Sequence, residues 1–71
     1  MIGQETGGDA VARAKEAKEL VDMILPHSEE LSPKEQRFIE QTAERLDQYG
    51  EKTIISGKQL FWLRDIKDGV L

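Results

Sequence analysis

Apolar residues recur every three or four positions along most of the chain, a spacing that predicts three amphipathic helices. In the first helix, the apolar face is small at its beginning and bulky at its end. We expect this helix to span residues 9–25, from an N-cap at Asp9 to the residue before Pro26. Its apolar face consists of Ala10, Ala14, Ala17, Leu20, Val21, Ile24 and Leu25.

The second helix has a sharper start signal. Ser32 is followed by Pro33 at the first helical position and by Glu35 three residues after the serine, a capping box in which each side chain binds the other residue's backbone N–H. We expect a helix over 33–49, ended by Gly50, a residue that tolerates positive φ. Its inward stripe consists of Phe38, Ile39, Thr42, Ala43, Leu46 and Tyr49.

The third helix repeats this start signal with Ser56 as the cap and Gln59 as its partner, and we expect it to span 57–68. Ile55 and Leu60 have the spacing of a hydrophobic staple across the helix start. The inward face carries Trp62, Leu63, Ile66 and Val70, whereas Phe61 lies on the polar side. The pattern therefore predicts that Trp62 is buried and Phe61 is exposed.

These elements define an all-α fold, a small three-helix domain over 9–71 that follows a flexible, disordered N-terminal arm at 1–8. The segment 53–55 (Thr-Ile-Ile) is too short for a strand, and we expect an extended linker whose two isoleucines fill the core. We expect the second and third helices to form the stable pair, with the first packed more loosely across them. Its alanine face is equally suited to a second copy, so the chain is expected to be a monomer or a weak dimer.

Composition narrows the possible functions. The 71 residues have a net charge of −4, no cysteine and one histidine, so neither a disulfide nor a multi-histidine metal site can form within the chain. Residues 28–51 carry three basic and seven acidic side chains, whereas residues 52–71 carry four basic and two acidic ones, a net charge of +2. No apolar run reaches the roughly 18 residues of a membrane span, and no secretory signal is recognisable at the N-terminus. We expect a cytoplasmic protein that does not enter membranes.

Catalytic residues are scarce. His27, between Pro26 and Ser28, is best interpreted as a solvated loop residue, since neighbours in a loop rarely form a nucleophile and its base. Glu40 and Glu44 form a carboxylate pair on the expected solvent face, where nothing would shift a pKa for acid–base catalysis. We therefore expect no enzyme activity, no catalytic residue, no metal and no cofactor.

The second half, from Leu31 to the end, resembles a small helical module of tailed bacteriophages and related bacterial genes. The shared pattern has an apolar helix, a glycine turn and then Ser-x-Lys-Gln-x-x-Trp-Leu-x-x-Ile. The matching residues are Phe38, Ile39, Tyr49, Gly50, Ser56, Lys58, Gln59, Trp62, Leu63 and Ile66. Proteins of this kind are linked to phage DNA replication, recombination or R-loop processing, including an accessory unit that accompanies a phage helicase. The resemblance implies this context, in the cytoplasm of a bacterial host cell, and transfers no catalytic residue.

Two functions remain open. The first is a non-enzymatic accessory protein in nucleic-acid metabolism, whose basic and aromatic surface on the third helix binds single-stranded or hybrid nucleic acid, or a helicase or polymerase. That surface would consist of Lys58, Phe61, Arg64 and Lys67. The alternative is an acidic adaptor or inhibitor that docks on a basic patch of a host polymerase or replication enzyme. Its face would consist of Glu29, Glu30, Glu40, Glu44 and Asp47.

Overall fold

The computed structural model describes residues 5–71, with side chains from position 10 onward, and all regular structure in this range is helical. The helices are α1 (Glu5–Ile24), α2 (Pro33–Tyr49) and α3 (Gly57–Val70), and short 3-10 turns span Leu25–Glu30 and Gly50–Lys52. The described residues contain no strand. The prediction of a small all-α, three-helix fold is confirmed.

The boundaries of α2 agree with the prediction, whereas the other two helices differ at their ends. α1 begins at Glu5, so residues 5–8 of the expected disordered arm are helical, while residues 1–4 lie outside the described range. Extending a helix that already exists adds one hydrogen bond per residue, which favours elongation past a possible cap at Asp9. α1 ends at Ile24 because the residue before Pro26 is biased away from the α conformation. α3 reaches Val70, where the N–H of Leu71 donates to the carbonyl of Lys67 at 2.9 Å.

Both capping boxes are present. The Ser32 hydroxyl accepts from the Glu35 N–H at 3.3 Å, and the Glu35 carboxylate accepts from the Ser32 N–H at 3.0 Å. At the start of α3, Ser56 accepts from the Gln59 N–H at 3.1 Å and donates its own N–H to the Gln59 side-chain oxygen at 2.9 Å. These four bonds satisfy backbone donors that a helix start leaves unpaired, so the two starts are fixed by local sequence.

α1 is the centre of the fold. It packs against both α2 and α3, and these two helices have far fewer backbone contacts with each other. The expectation that α2 and α3 form the stable pair is therefore wrong. Ala14 and Ala17 are almost completely buried, and their small side chains let the neighbouring backbones approach closely. The remaining core residues are Leu20, Val21, Ile24, Leu31, Ile39, Leu46, Ile55, Leu60, Leu63 and Ile66.

Three residues that were expected in the core are exposed. Leu25 lies in the 3-10 turn, where it no longer continues the apolar face of α1. Tyr49, the last residue of α2, is 55% exposed at the margin of the buried stripe. Ile54 is 81% exposed, because successive side chains of an extended segment point in opposite directions and its neighbours Thr53 and Ile55 are both buried. Only one of the two isoleucines fills the core.

Trp62 is half-buried rather than buried. Its ring stacks on Phe38 of α2, with ring centroids 4.1 Å apart and an angle of 17° between the planes. The stack covers one side of the indole and brings α2 and α3 together through side chains, where their backbones make little contact. The prediction that Trp62 is buried is therefore met only in part: its side chain packs against the core, but a ring of this size extends beyond so small a core.

Candidate functional site

Phe61 stands on the solvent side of α3, as the sequence predicted. Its side chain is 71% exposed, and the neighbouring turns carry Lys58 and Arg64 three positions before and after it. Lys58 is exposed and makes no ion pair among the described residues. An exposed aromatic ring beside a cation is a surface on which a base or an apolar side chain of a partner can stack.

Arg64 is already bound within the protein. Its Nε donates to one carboxylate oxygen of Glu16 at 2.7 Å, and one terminal nitrogen donates to the other oxygen at 3.0 Å. This two-pronged geometry matches the planar guanidinium to the carboxylate and ties α3 to α1. Hydrogen bonding to Arg64, together with the positive charges of Arg64 and Lys67, lowers the pKa of Glu16 below the ordinary value of 4.5, and the same bond raises the pKa of Arg64.

Glu16 changes the charge of the predicted basic surface. Lys67 is half-buried and lines a shallow groove with Glu16 and Glu19, so it too faces α1. The three cations Lys58, Arg64 and Lys67 are balanced by three acidic groups, Glu16, Asp65 and Asp68. Glu16 lies 48 positions from Arg64, and no local pattern in the sequence pairs the two.

The lowered pKa of Glu16 predicts a pH dependence of stability. Because the carboxyl binds its proton less tightly in the folded chain than in the unfolded chain, its stabilising contribution is complete above the unfolded pKa, near 4.5. It is lost as the pH falls through the lower folded pKa. We expect Glu16→Gln to flatten this acid limb of a denaturation series between pH 7 and pH 3. Glu19→Gln, a matched change at an exposed carboxylate of α1, should leave it intact. Parallel curves for wild type and Glu16→Gln would contradict the role of this pair.

The predicted acidic face separates into two groups. Glu40, Glu44 and Asp47 are exposed at successive turns along one edge of α2, over about 10 Å at 1.5 Å per residue. We call these three residues the acidic ridge. Within the described residues, none of them has a cation within 4.0 Å. Glu29 and Glu30 are also exposed, but they precede α2, whose first residue is already about two helical turns from Glu40.

Asp47, the last residue of the acidic ridge, borders an open groove of about 410 Å³ between α1 and α2. The floor of the groove is apolar, while Asp47 stands on one wall and Lys18 and Asp22, which pair at 3.1 Å, stand on the other. Leu25, whose side chain had been assigned to the core, is exposed at this groove. The apolar lining consists of Val21, Leu25, Ala43 and Leu46. Carboxylates thus lie beside an accessible apolar surface.

The opposite edge of α2 carries a cleft that the sequence reasoning missed. The cleft has a volume of about 300 Å³ and is lined by Arg45, Tyr49, Lys52, Thr53 and Ile54. We call it the Ile54 cleft. Arg45 and Tyr49 are four positions apart on α2, a spacing that places them side by side on the helix surface. The cleft is not predicted from this spacing because the apolar pattern assigns Tyr49 to the core.

The described residues show no grouped catalytic or metal-binding chemistry. His27 is partly buried in the first 3-10 turn, and its Nδ1 lies 3.1 Å from a carboxylate oxygen of Glu30. Within positions 5–71 as described, no cluster of three or more histidine, aspartate and glutamate side chains is arranged to hold a metal ion. Across that same range, no helix combines the length and apolarity required to cross a membrane.

Comparisons with known proteins gave no match to a protein-family model, a curated protein or a solved structure. The similarity to a phage helical module therefore stays a prediction from the sequence.

Proposed function

We propose that this protein is a non-enzymatic adaptor or inhibitor that binds a basic surface of a protein partner through the acidic ridge. The observation that carries the proposal is the contrast between two sets of charges. Glu40, Glu44 and Asp47 are exposed without an internal counter-charge among the described residues, whereas Arg64 of the basic surface is bound to Glu16. Unneutralised charges of one sign attract and orient a partner of the opposite sign.

The arrangement of the ridge favours a protein partner. Glu40 and Glu44 lie four positions apart on one helix face, where like charges repel and destabilise the helix slightly. A cationic patch would remove this repulsion on binding. The adjoining groove with Leu25 offers apolar area to the same partner, and interfaces combine such an apolar centre with a charged rim. In the phage context that the resemblance implies, the partner is a polymerase or replication enzyme of the bacterial host.

The test is capture of a partner from bacterial lysate after nuclease treatment, with the double variant Glu40→Lys, Glu44→Lys compared with the wild type. We expect the wild type to retain a basic protein partner. The double variant should retain at least about tenfold less of it, since like charges that face each other in an interface cost several kcal/mol. Far-UV circular dichroism establishes that both proteins are equally helical.

The matched control for this experiment is Glu19→Lys, Asp68→Lys, which makes the same change in net charge at exposed positions away from the ridge. This control should retain the partner. Equal loss in the two double variants would mean that overall charge rather than the ridge determines capture. Loss of all partners on nuclease treatment would contradict the adaptor proposal.

A second candidate function is the accessory role in nucleic-acid metabolism, in replication, recombination or R-loop processing, and one observation favours it. Phe61 is 71% exposed beside Lys58, which makes no ion pair in the described part of the chain, an arrangement that suits stacking of an unpaired base. Arg64 and Lys67 would contribute to phosphate binding only in competition with Glu16.

That competition gives the nucleic-acid candidate a sharp test. Wild type, Phe61→Ala and Glu16→Gln are titrated at low salt with single-stranded DNA, duplex DNA and an RNA–DNA hybrid. A genuine site predicts weaker binding by Phe61→Ala. It also predicts tighter binding and a steeper salt dependence for Glu16→Gln, because Arg64 is released to bind phosphate. No binding of any of the three nucleic acids would rule this candidate out.

A further inference from the structure

The Ile54 cleft exposes an aliphatic side chain on a backbone that the fold holds in place. The Thr53 N–H donates to the carbonyl of Gly50 at 3.0 Å, and its hydroxyl donates to the carbonyl of Arg45 at 3.2 Å. On the other side, Nε of Arg13 donates to the carbonyl of Ile55 at 2.9 Å. Ile54 lies between these anchored residues, with its side chain directed out of the protein.

The Ile54 side chain is exposed because the hydrogen bonds of the neighbouring residues fix the backbone, and not because the segment is flexible. Thr53 and Ile55 are each only 3% exposed, and the extended backbone between them forces the intervening side chain outward. Ile54 is also β-branched, so its side chain has few rotamers to lose when a partner covers it. An apolar group that is already held in position binds at a smaller entropic cost than one that must be ordered.

The charges around Ile54 define what would bind there. Arg45 and Lys52 line the cleft, and within the described part of the chain neither has a carboxylate within 4.0 Å. The nearby Glu51 is directed elsewhere, with its carboxylate 3.6 Å from the ammonium of Lys15. In a protein with a net charge of −4, the cleft thus combines two available cations with two exposed apolar side chains, Tyr49 and Ile54.

We infer that the Ile54 cleft is a docking site for an acidic peptide segment of a protein partner, with one leucine- or isoleucine-sized side chain between its carboxylates. The apolar side chain lies against Tyr49 and Ile54, and the carboxylates bind Arg45 and Lys52. This site is on the edge of α2 opposite the acidic ridge, and it does not depend on the function proposed for that ridge.

The probe is the peptide acetyl-Asp-Glu-Leu-Glu-Asp-amide, titrated into ¹⁵N-labelled protein and followed by the amide shifts of the cleft residues. Because the peptide is short, we expect weak binding, with a dissociation constant on the order of 1 mM. We expect saturable shifts at Arg45, Tyr49, Lys52 and Ile54. Replacing the peptide's leucine with alanine should weaken binding by about tenfold, since burial of one such side chain is worth about 1.5–3 kcal/mol before losses.

Matched variants separate the two contributions. Ile54→Ser removes the apolar contact, and Arg45→Glu with Lys52→Glu reverses the charges; each should abolish saturable binding. Phe61→Ser, a change at another exposed apolar residue, should leave the affinity unchanged. None of these positions belongs to the acidic ridge. The variant Glu40→Lys, Glu44→Lys should still show saturable peptide shifts at the cleft, so failure here is distinguishable from failure of the proposed function.

Three results would overturn the inference. The first is an absence of shifts at the cleft up to about ten times the expected dissociation constant. The second is equal binding of the lysine-containing peptide acetyl-Lys-Lys-Leu-Lys-Lys-amide, or tighter binding of oligothymidylate at the same residues. The third is a set of cleft shifts that depends on protein concentration without peptide, which would identify a second copy of this chain as the occupant.

Discussion

Leu63→Ala is expected to lower the protein's free energy of unfolding by about 2–5 kcal/mol. Leu63 is completely buried, on the face of α3 that packs against α1, so alanine leaves a cavity that the surrounding helices can only partly fill. Such substitutions cost about 2–5 kcal/mol. A domain of this length is stabilised by roughly 4–10 kcal/mol in total, so the loss is a large share of the whole.

Urea denaturation followed by far-UV circular dichroism measures this effect directly. The control is Ile54→Ala, which removes a similar volume at a position that is 81% exposed and should change the free energy of unfolding by about 0.5 kcal/mol or less. A loss below about 1 kcal/mol in Leu63→Ala would contradict a closed core at this position.

Gly50→Ala has the second large expected effect, and its cause lies in the backbone alone. Gly50 ends α2 with φ +58° and ψ −131°, a combination that residues with a Cβ rarely adopt. A Cβ built at this position meets no atom within 4 Å, so no clash contributes. We expect a loss of about 1–3 kcal/mol, the cost of holding a non-glycine residue in a sparsely populated conformation.

Gly57→Ala is the matched control for this substitution. Gly57 begins α3 with an ordinary helical φ, and a Cβ there is equally free of contacts. Because alanine restricts the unfolded chain and suits a helix, this change should stabilise the protein by about 0.4–1 kcal/mol. Thermal denaturation of the two variants should therefore move in opposite directions. Similar shifts in both would show that the backbone angle at position 50 is not the cause.

The local features of this fold could be predicted from sequence because each depends on a few adjacent residues. Ser32 with Glu35, Ser56 with Gln59, and Gly50 form hydrogen bonds or turns within four positions of the chain. Interactions between residues so close in the chain can be recognised from the sequence of that segment alone. The errors at the helix ends, such as the earlier start of α1 at Glu5, arise because elongation competes with several acceptable caps.

The arrangement of the helices could not be predicted in the same way. The alanines on α1 indicate that another helix packs closely against it, but they do not indicate which one. In the structure, α1 packs against both α2 and α3. The exposure of Ile54 depends on hydrogen bonds from Arg13 and to Arg45, which lie far from it in sequence. The hydrophobic pattern predicts which face of a helix or extended segment is buried. Contacts with other parts of the chain determine which residues at the ends of that face are actually buried.

The same limit applies to the candidate site. The exposed position of Phe61 followed from helical periodicity, which is a property of α3 alone. The bond between Arg64 and Glu16 joins two helices, and it changes the electrostatics of the predicted basic surface without any trace in the local sequence. For that reason the function proposed above rests on the acidic ridge, whose carboxylates have no cation within 4.0 Å in the described part of the chain, and not on the more conspicuous aromatic segment.

The stacked pair of Phe38 and Trp62 gives the molecule an internal optical reporter. The indole is the only one in the chain, and it stacks on a ring of the other helix at the margin of the core. Its emission therefore changes when the indole loses the Phe38 ring and becomes exposed to water, while the circular dichroism signal reports helix content throughout. If α3 separates from α2 before the helices melt, the fluorescence transition will precede the dichroism transition, and coincident transitions will mean that the three helices unfold as a single unit.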